Sequence, residues 1–149
     1  MKREVVLKHK FVDFIPEMLE EGTVYVSLEY ATVAHKCCCG CGKEVVTPLS
    51  PTDWKVTFDG RTISLTPSIG NWGFPCQSHY WIRNGRVKWA ARMSREEIEA
   101  GRSYDRLAKE SYFDALDPLH PGADRHEPAE ADAPQPGAWA KLKTWLTSL

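Results

Sequence analysis

The sequence predicts a small α+β domain: a mostly antiparallel sheet of hairpins around a zinc-ribbon-like site, with a C-terminal helix. Three observations carry this. Two turn dipeptides, Asp59-Gly60 and Asn84-Gly85, each separate a pair of β-rich runs. Four of the five cysteines fall at 37, 38, 39 and 41, and the fifth opens a C-x-x-H at Cys76 and His79. A long helix-forming stretch comes late, over residues 94–116.

Taken in order, residues 3–14 read as a first strand with a polar interruption. Residues 15–22, "IPEMLEEG", predict a short helix stopped by Gly22. "TVYVSLEY" alternates, with Val24, Val26 and Leu28 on one side and Tyr25 and Ser27 on the other, which is a strand pattern. "ATVAHKC" continues extended into the cysteines, and "KEVVTPL" leaves them as another strand. The two hairpins follow, each expected to turn through a type I′ pair with positive φ at both central residues. Ser94 and Glu97 form a capping box for the helix, and Asp117-Pro118 should end it. Residues 118–137 hold five of the ten prolines and few large apolar side chains, which reads as a linker. Over 138–149, Trp139, Leu142, Trp145, Leu146 and Leu149 share one helical face, predicting an amphipathic terminal helix. The domain proper is thus expected over 1–117.

Composition narrows the function. The 149 residues carry 19 basic and 20 acidic side chains, so bulk electrostatic binding to nucleic acid or to an anionic membrane is not expected. No apolar run approaches the ~20 residues that span a bilayer, and the N-terminal residues lack an apolar signal core. A cytoplasmic protein is the expectation, and cytosolic thiols stay reduced. That leaves metal ligation, a reactive thiol or burial for the cysteines. Spacing favours a metal: zinc takes Cys and His at tetrahedral corners, commonly two from each of two short loops. Gly40 and Gly42 allow the sharp turn of such a loop and point to Cys39 and Cys41 as its ligands, with Cys37 and Cys38 also available. Cys76 and His79 complete the expected quartet. Four sulfur-rich ligands and the absence of H-E-x-x-H argue for a closed, structural site.

Further residues could carry chemistry. Ser78 sits inside the C-x-x-H loop, and His35 lies two residues before the cluster. A serine nucleophile needs a base within hydrogen-bond reach. The plainer readings are that Ser78 caps the loop and that His35 is a strand residue, since no G-x-S-x-G accompanies the serine. The loop "SLTPSIGNW" offers Ser68 and Asn71 beside Trp72. Glu17 reads as a first-turn helix acid.

His35, Cys37, Cys39, Gly40, Cys41 and Gly42, then Pro67 to Asn71, then Cys76 and Ser78 to Ile82 form a pattern that resembles a bacterial family. Its members are small cysteine-rich proteins encoded beside ubiquitin-like proteins and their activating and conjugating enzymes, in what look like defence operons. The resemblance covers roughly residues 15–110. It implies a serine-type peptidase with zinc as scaffold, which matures a ubiquitin-like precursor, removes the modifier from targets, or both. Carried onto this chain, it implies Ser78 as nucleophile and His35 as base, with Glu17 orienting His35 and Cys38 outside the metal site. A variant places the zinc on Cys37, Cys39, Cys41 and Cys76 and frees His79 to act as base. The competing reading is a non-catalytic zinc-ribbon module that binds a ubiquitin-like or conjugation protein.

Overall fold

The computed structural model describes residues 5–117. Eight strands form two four-stranded sheets. The first contains β1 (Lys8–Phe11), β2 (Thr23–Ser27), β3 (Thr32–Lys36) and β4 (Glu44–Pro48), in that spatial order. The second contains β5 (Lys55–Phe58), β6 (Ile63–Gly70), β7 (His79–Arg83) and β8 (Arg86–Trp89). All pairings are antiparallel except β1 with β2. One helix, α1 (Arg95–Leu116), follows. The α+β class is as expected, and the two predicted hairpins, β5–β6 and β7–β8, share the second sheet, while β1 to β4 form a sheet of their own.

Period-two patterning explains the core. In β7, Tyr80 and Ile82 are buried while His79, Trp81 and Arg83 alternate toward the other face. Those inward residues join Ile63, Leu65, Ile69 and Val87 from the same sheet, and Val24, Val26, Val33 and Val45 from the other, in one apolar cluster. β2 is buried on both faces, because Tyr25 packs on Leu19 and Ala34 in a second, smaller cluster. Residues 5–7 join the sheets: Val87 N–H donates to Val5 O at 2.9 Å and Leu7 N–H to Gly85 O at 2.8 Å, before the chain enters β1.

Several local expectations are corrected. Residues 15–22 form bends and a turn, not a helix. They belong to the connection between parallel strands β1 and β2, and Leu19 from it is buried under Tyr25. β2 stops at Ser27, leaving Leu28 exposed in the turn to β3. The Asn84-Gly85 turn has positive φ at both residues, 49° and 67°, as type I′ requires. At Asp59-Gly60 only the glycine is positive, at 91°. Phe58 pairs with Ile63 across a four-residue loop, which the Asp59 carboxylate closes by accepting from Arg61 N–H at 2.8 Å and Thr62 N–H at 2.6 Å. α1 begins with the expected capping box: Glu97 N–H donates to Ser94 Oγ at 3.2 Å, and Ser94 N–H to Glu97 Oε2 at 2.7 Å. None of its side chains is buried, and Lys109 pairs with Asp53. The linker expected over 118–137 and the helix expected over 138–149 lie outside the described residues. Among the described residues, no helix is long and apolar enough to cross a membrane.

Candidate active site and metal centre

The cysteine-rich turn joins β3 to β4. Gly40 and Gly42 adopt φ of 87° and 77°, and the turn closes with Cys37 N–H donating to Lys43 O at 2.8 Å. This brings Cys37, Cys39 and Cys41 up to Cys76, from the loop before β7, with all four sulfurs within 4.8 Å of one another. Individual separations are 3.4 Å for Cys37–Cys39, 3.9 Å for Cys37–Cys76 and 3.8 Å for Cys41–Cys76. A tetrahedral ion with metal–sulfur bonds of ~2.3 Å would set sulfurs about 3.8 Å apart, so the donor set fits a metal ion of zinc's preference. The fourth corner is Cys37, where His79 had been expected. Cys38 points elsewhere, against the core. Burial pushes its thiol up to about 12, so it behaves as a small apolar residue.

Burial also raises Cys37 and Cys39. Cys76 differs: burial opposes ionisation, but hydrogen bonds from the Ser78 side chain and backbone and from the neighbouring thiols bring it down to about 7. A metal displacing these protons would make the site's affinity pH-dependent.

Ser78 belongs to this cluster. It is buried, its Oγ lies 3.1 Å from Cys37 Sγ and 3.6 Å from Cys76 Sγ, and it accepts from Asn71 Nδ2 at 2.9 Å. Asn71 also faces Cys37 Sγ at 3.7 Å. Such contacts orient metal-binding thiolates. His35 does not meet Ser78. Its ring is buried in β3, Nε2 bonds Tyr80 Oη at 2.9 Å, and Nδ1 has no partner. Burial lowers its pKa to about 4, so it stands neutral. Glu17 is exposed and does not hydrogen-bond that orphaned nitrogen. The pair expected from the resemblance, with its orienting acid, is therefore not assembled.

A different serine and histidine do meet. His79 heads β7 and its side chain lies on the outer face of the second sheet, across from Gly70. Its Nε2 is 2.9 Å from Ser68 Oγ, and its Nδ1 is 2.9 Å from Ala91 O. A carbonyl can only accept, so Nδ1 carries the proton and Nε2 is left to accept from the Ser68 hydroxyl. A serine hydroxyl held on an imidazole that is itself oriented through its other nitrogen has the geometry of an activated nucleophile. Trp72 and Trp81 flank the imidazole, with ring centroids 5.0 and 5.7 Å away. Ser68 shares the outer face with His79 because it lies two residues from Gly70, the cross-strand partner of His79. Gly70 is needed there: a Cβ on it would stand 2.4 Å from Trp72 Nε1.

The pair opens on a cleft of 440 Å³ that Thr52, Trp54, Trp72 and the Glu97, Gly101 and Asp105 side of α1 also line. A larger cavity of 840 Å³ borders Cys37, Cys39, Cys76 and Ser78, and so belongs to the sulfur cluster. Sequence reading had noted Ser68 and the freed His79 separately. What it lacked was their contact, which depends on β6 and β7 pairing with both side chains on one face.

The fold and site define a class: a small two-sheet protein with a serine–histidine pair on one sheet and a four-thiol metal-binding cluster beside it. The chain belongs to the family of bacterial ubiquitination-like system serine proteases (BubE), whose model matches residues 11–90, more than half of the chain. No curated protein matches the chain, and no solved structure does.

Proposed function

We propose that this chain is a serine-type protease that processes a ubiquitin-like precursor, or releases the modifier from its targets, with Ser68 as nucleophile and His79 as base. The observation that carries the reading is the 2.9 Å contact between Ser68 Oγ and His79 Nε2, with Nδ1 tied to Ala91 O. His79 takes the hydroxyl proton as Oγ attacks the scissile carbonyl. The same imidazolium then protonates the departing amine, leaving the acyl group on Ser68 as an ester. Water, deprotonated by His79, hydrolyses that ester and restores the serine. Ala91 O replaces the usual carboxylate as the orienting acceptor, and holds the ring by direction more than by charge.

Cys37, Cys39, Cys41 and Cys76 would hold a structural zinc. Four thiolates would close the coordination sphere, so the metal would supply rigidity to the β3–β4 turn and to the loop that leads into β7. Ser78 and Asn71 link it to the catalytic strand: Asn71 N–H donates to Ser78 O at 2.9 Å, one residue from both Gly70 and His79. In this reading the enzyme works in the cytoplasm, on a ubiquitin-like protein and beside its conjugation enzymes, in antiviral defence. A non-catalytic zinc-ribbon module would have no use for a serine held on an oriented imidazole at a cleft.

The test is incubation of the metal-loaded full chain with the ubiquitin-like precursor of the same bacterium, read by intact mass. Cleavage by the wild type and by Ser78→Ala, and none by Ser68→Ala or His79→Ala, is the expected result. Cleavage that survives Ser68→Ala would overturn the assignment.

A further inference from the structure

β6 outruns the strand beside it. β5 accompanies it from Ile63 only as far as Thr66, whose partner is Lys55. Trp54, the next residue back, turns away: its N–H donates to Pro48 O at 3.2 Å and its carbonyl accepts from Ser50 N–H at 3.3 Å. From Pro67 to Gly70, β6 therefore has β7 on one side and no strand on the other.

Antiparallel pairing tells which groups face that open side, because directly opposed residues alternate between bonded and non-bonded pairs. Asn71 N–H donates to Ser78 O, so that pair is bonded. Gly70 and His79 come next and form a non-bonded pair. The carbonyl of His79 agrees, since it faces β8 and accepts from Ala90 N–H at 2.9 Å. Gly70 thus turns both its N–H and its C=O toward the open edge. That edge borders the cleft that holds Ser68 and His79. Trp54, whose indole Nε1 is buried without an acceptor, forms part of the cleft's wall. Trp72 covers the outer face of Gly70, which leaves approach in the plane of the sheet.

We propose that the open edge of β6 at Gly70 receives the substrate's cleavage segment as an added, extended strand, which lays its scissile carbonyl across Ser68. This rests on the Ser68–His79 reading. A donor and an acceptor side by side on one residue are what a passing peptide backbone matches, and strand addition to a free edge is a general mode of peptide capture. The occupant is therefore an extended stretch of polypeptide. Affinity comes from its main chain, whereas preference among sequences comes from the cleft walls, including the charged Glu97 and Asp105 of α1.

The experiment uses the full metal-loaded chain and two boronic acids that compete with fluorophosphonate labelling of Ser68. One is acetyl-alanine boronic acid; the other is its acetylated tri-alanine counterpart. The longer compound should compete at least tenfold more tightly. N-methylation of one of its amides should remove the gain, and of the adjacent amide should not. In proton-exchange NMR, the Gly70 amide should exchange faster than those of Ile69 and Asn71 in the free protein, and at least tenfold more slowly with the tri-alanine boronate bound. Equal competition by the two compounds, or an unprotected Gly70, while Ser68 still labels, overturns strand addition and leaves the dyad standing. Absence of labelling at Ser68 overturns the dyad and this proposal together.

Discussion

At the scale of single residues, a hydroxyl becomes reactive through the base it touches, and that distinguishes the chain's two conspicuous serines. Ser68 touches an oriented imidazole, while Ser78 touches two thiols and an amide. Replacing Ser78 with Ala should leave nucleophile labelling intact and weaken metal binding by about 10-fold or more, as loss of an outer-shell partner does. Chelator competition measures this, and loss of labelling with metal affinity unchanged would contradict it. The cysteines divide in the same way. Cys38→Ala should keep the metal, because its sulfur lies outside the cluster, whereas Cys37→Ala should lose it. Metal content per chain reports both. The sequence made the cluster legible through spacing and the two glycines, but could not separate Cys37 from His79 as fourth ligand. Both lie within reach of the knuckle along the chain, and only the outward face of β7 takes His79 away.

Among the elements, turns and strand ends position the site. The loop between β5 and β6 depends on Asp59, whose carboxylate is held down at about 2 by hydrogen bonds from Thr62 backbone and side chain and from Arg61 backbone. Its folded pKa lies below the ordinary 3.8, so the unfolded chain binds the proton first as pH falls. The stabilisation is thus complete above about 3.8 and disappears as pH drops toward 2. Wild type should therefore melt above Asp59→Asn at pH 7, with the gap closing over that acid window. A gap that stays constant from pH 7 to 2 would show that the carboxylate's charge plays no part. Hairpin positions were readable from D-G and N-G, since these dipeptides mark where a chain reverses. The type of the first turn was not, because Asp59 can close a four-residue loop with its side chain as readily as it enters a two-residue one. The helix expected over 15–22 failed for a different reason. Local propensity yielded to a parallel connection that buries Leu19 beneath Tyr25.

For the whole molecule, the thiol cluster and the shared core join two small sheets. The four thiols come from two loops far apart in sequence, and one of these loops leads directly into the strand that carries His79. Structural metal of this kind contributes to folding outright. Removal of the ion by a strong chelator should lower the melting temperature and abolish labelling of Ser68 together, and one equivalent of zinc should restore both. A chelated protein that melts unchanged would show that the cluster is not a structural metal site. The α+β class and the sulfur cluster were legible because turn dipeptides and cysteine spacing are local signals. The division into two sheets was not: every strand pairs with its neighbour in sequence, and only the missing pairing of β4 with β5 separates the sheets. The serine–histidine pair was not legible either: Ser68 and His79 stand eleven residues apart and meet because β6 and β7 pair with both side chains on one face. The most direct test of the account is therefore where a serine-directed fluorophosphonate attaches, mapped by peptide mass spectrometry. The account predicts a single adduct on Ser68, lost in His79→Ala and kept in both Ser78→Ala and His35→Ala variants that remain folded. An adduct on Ser78 that depends on His35 would contradict it.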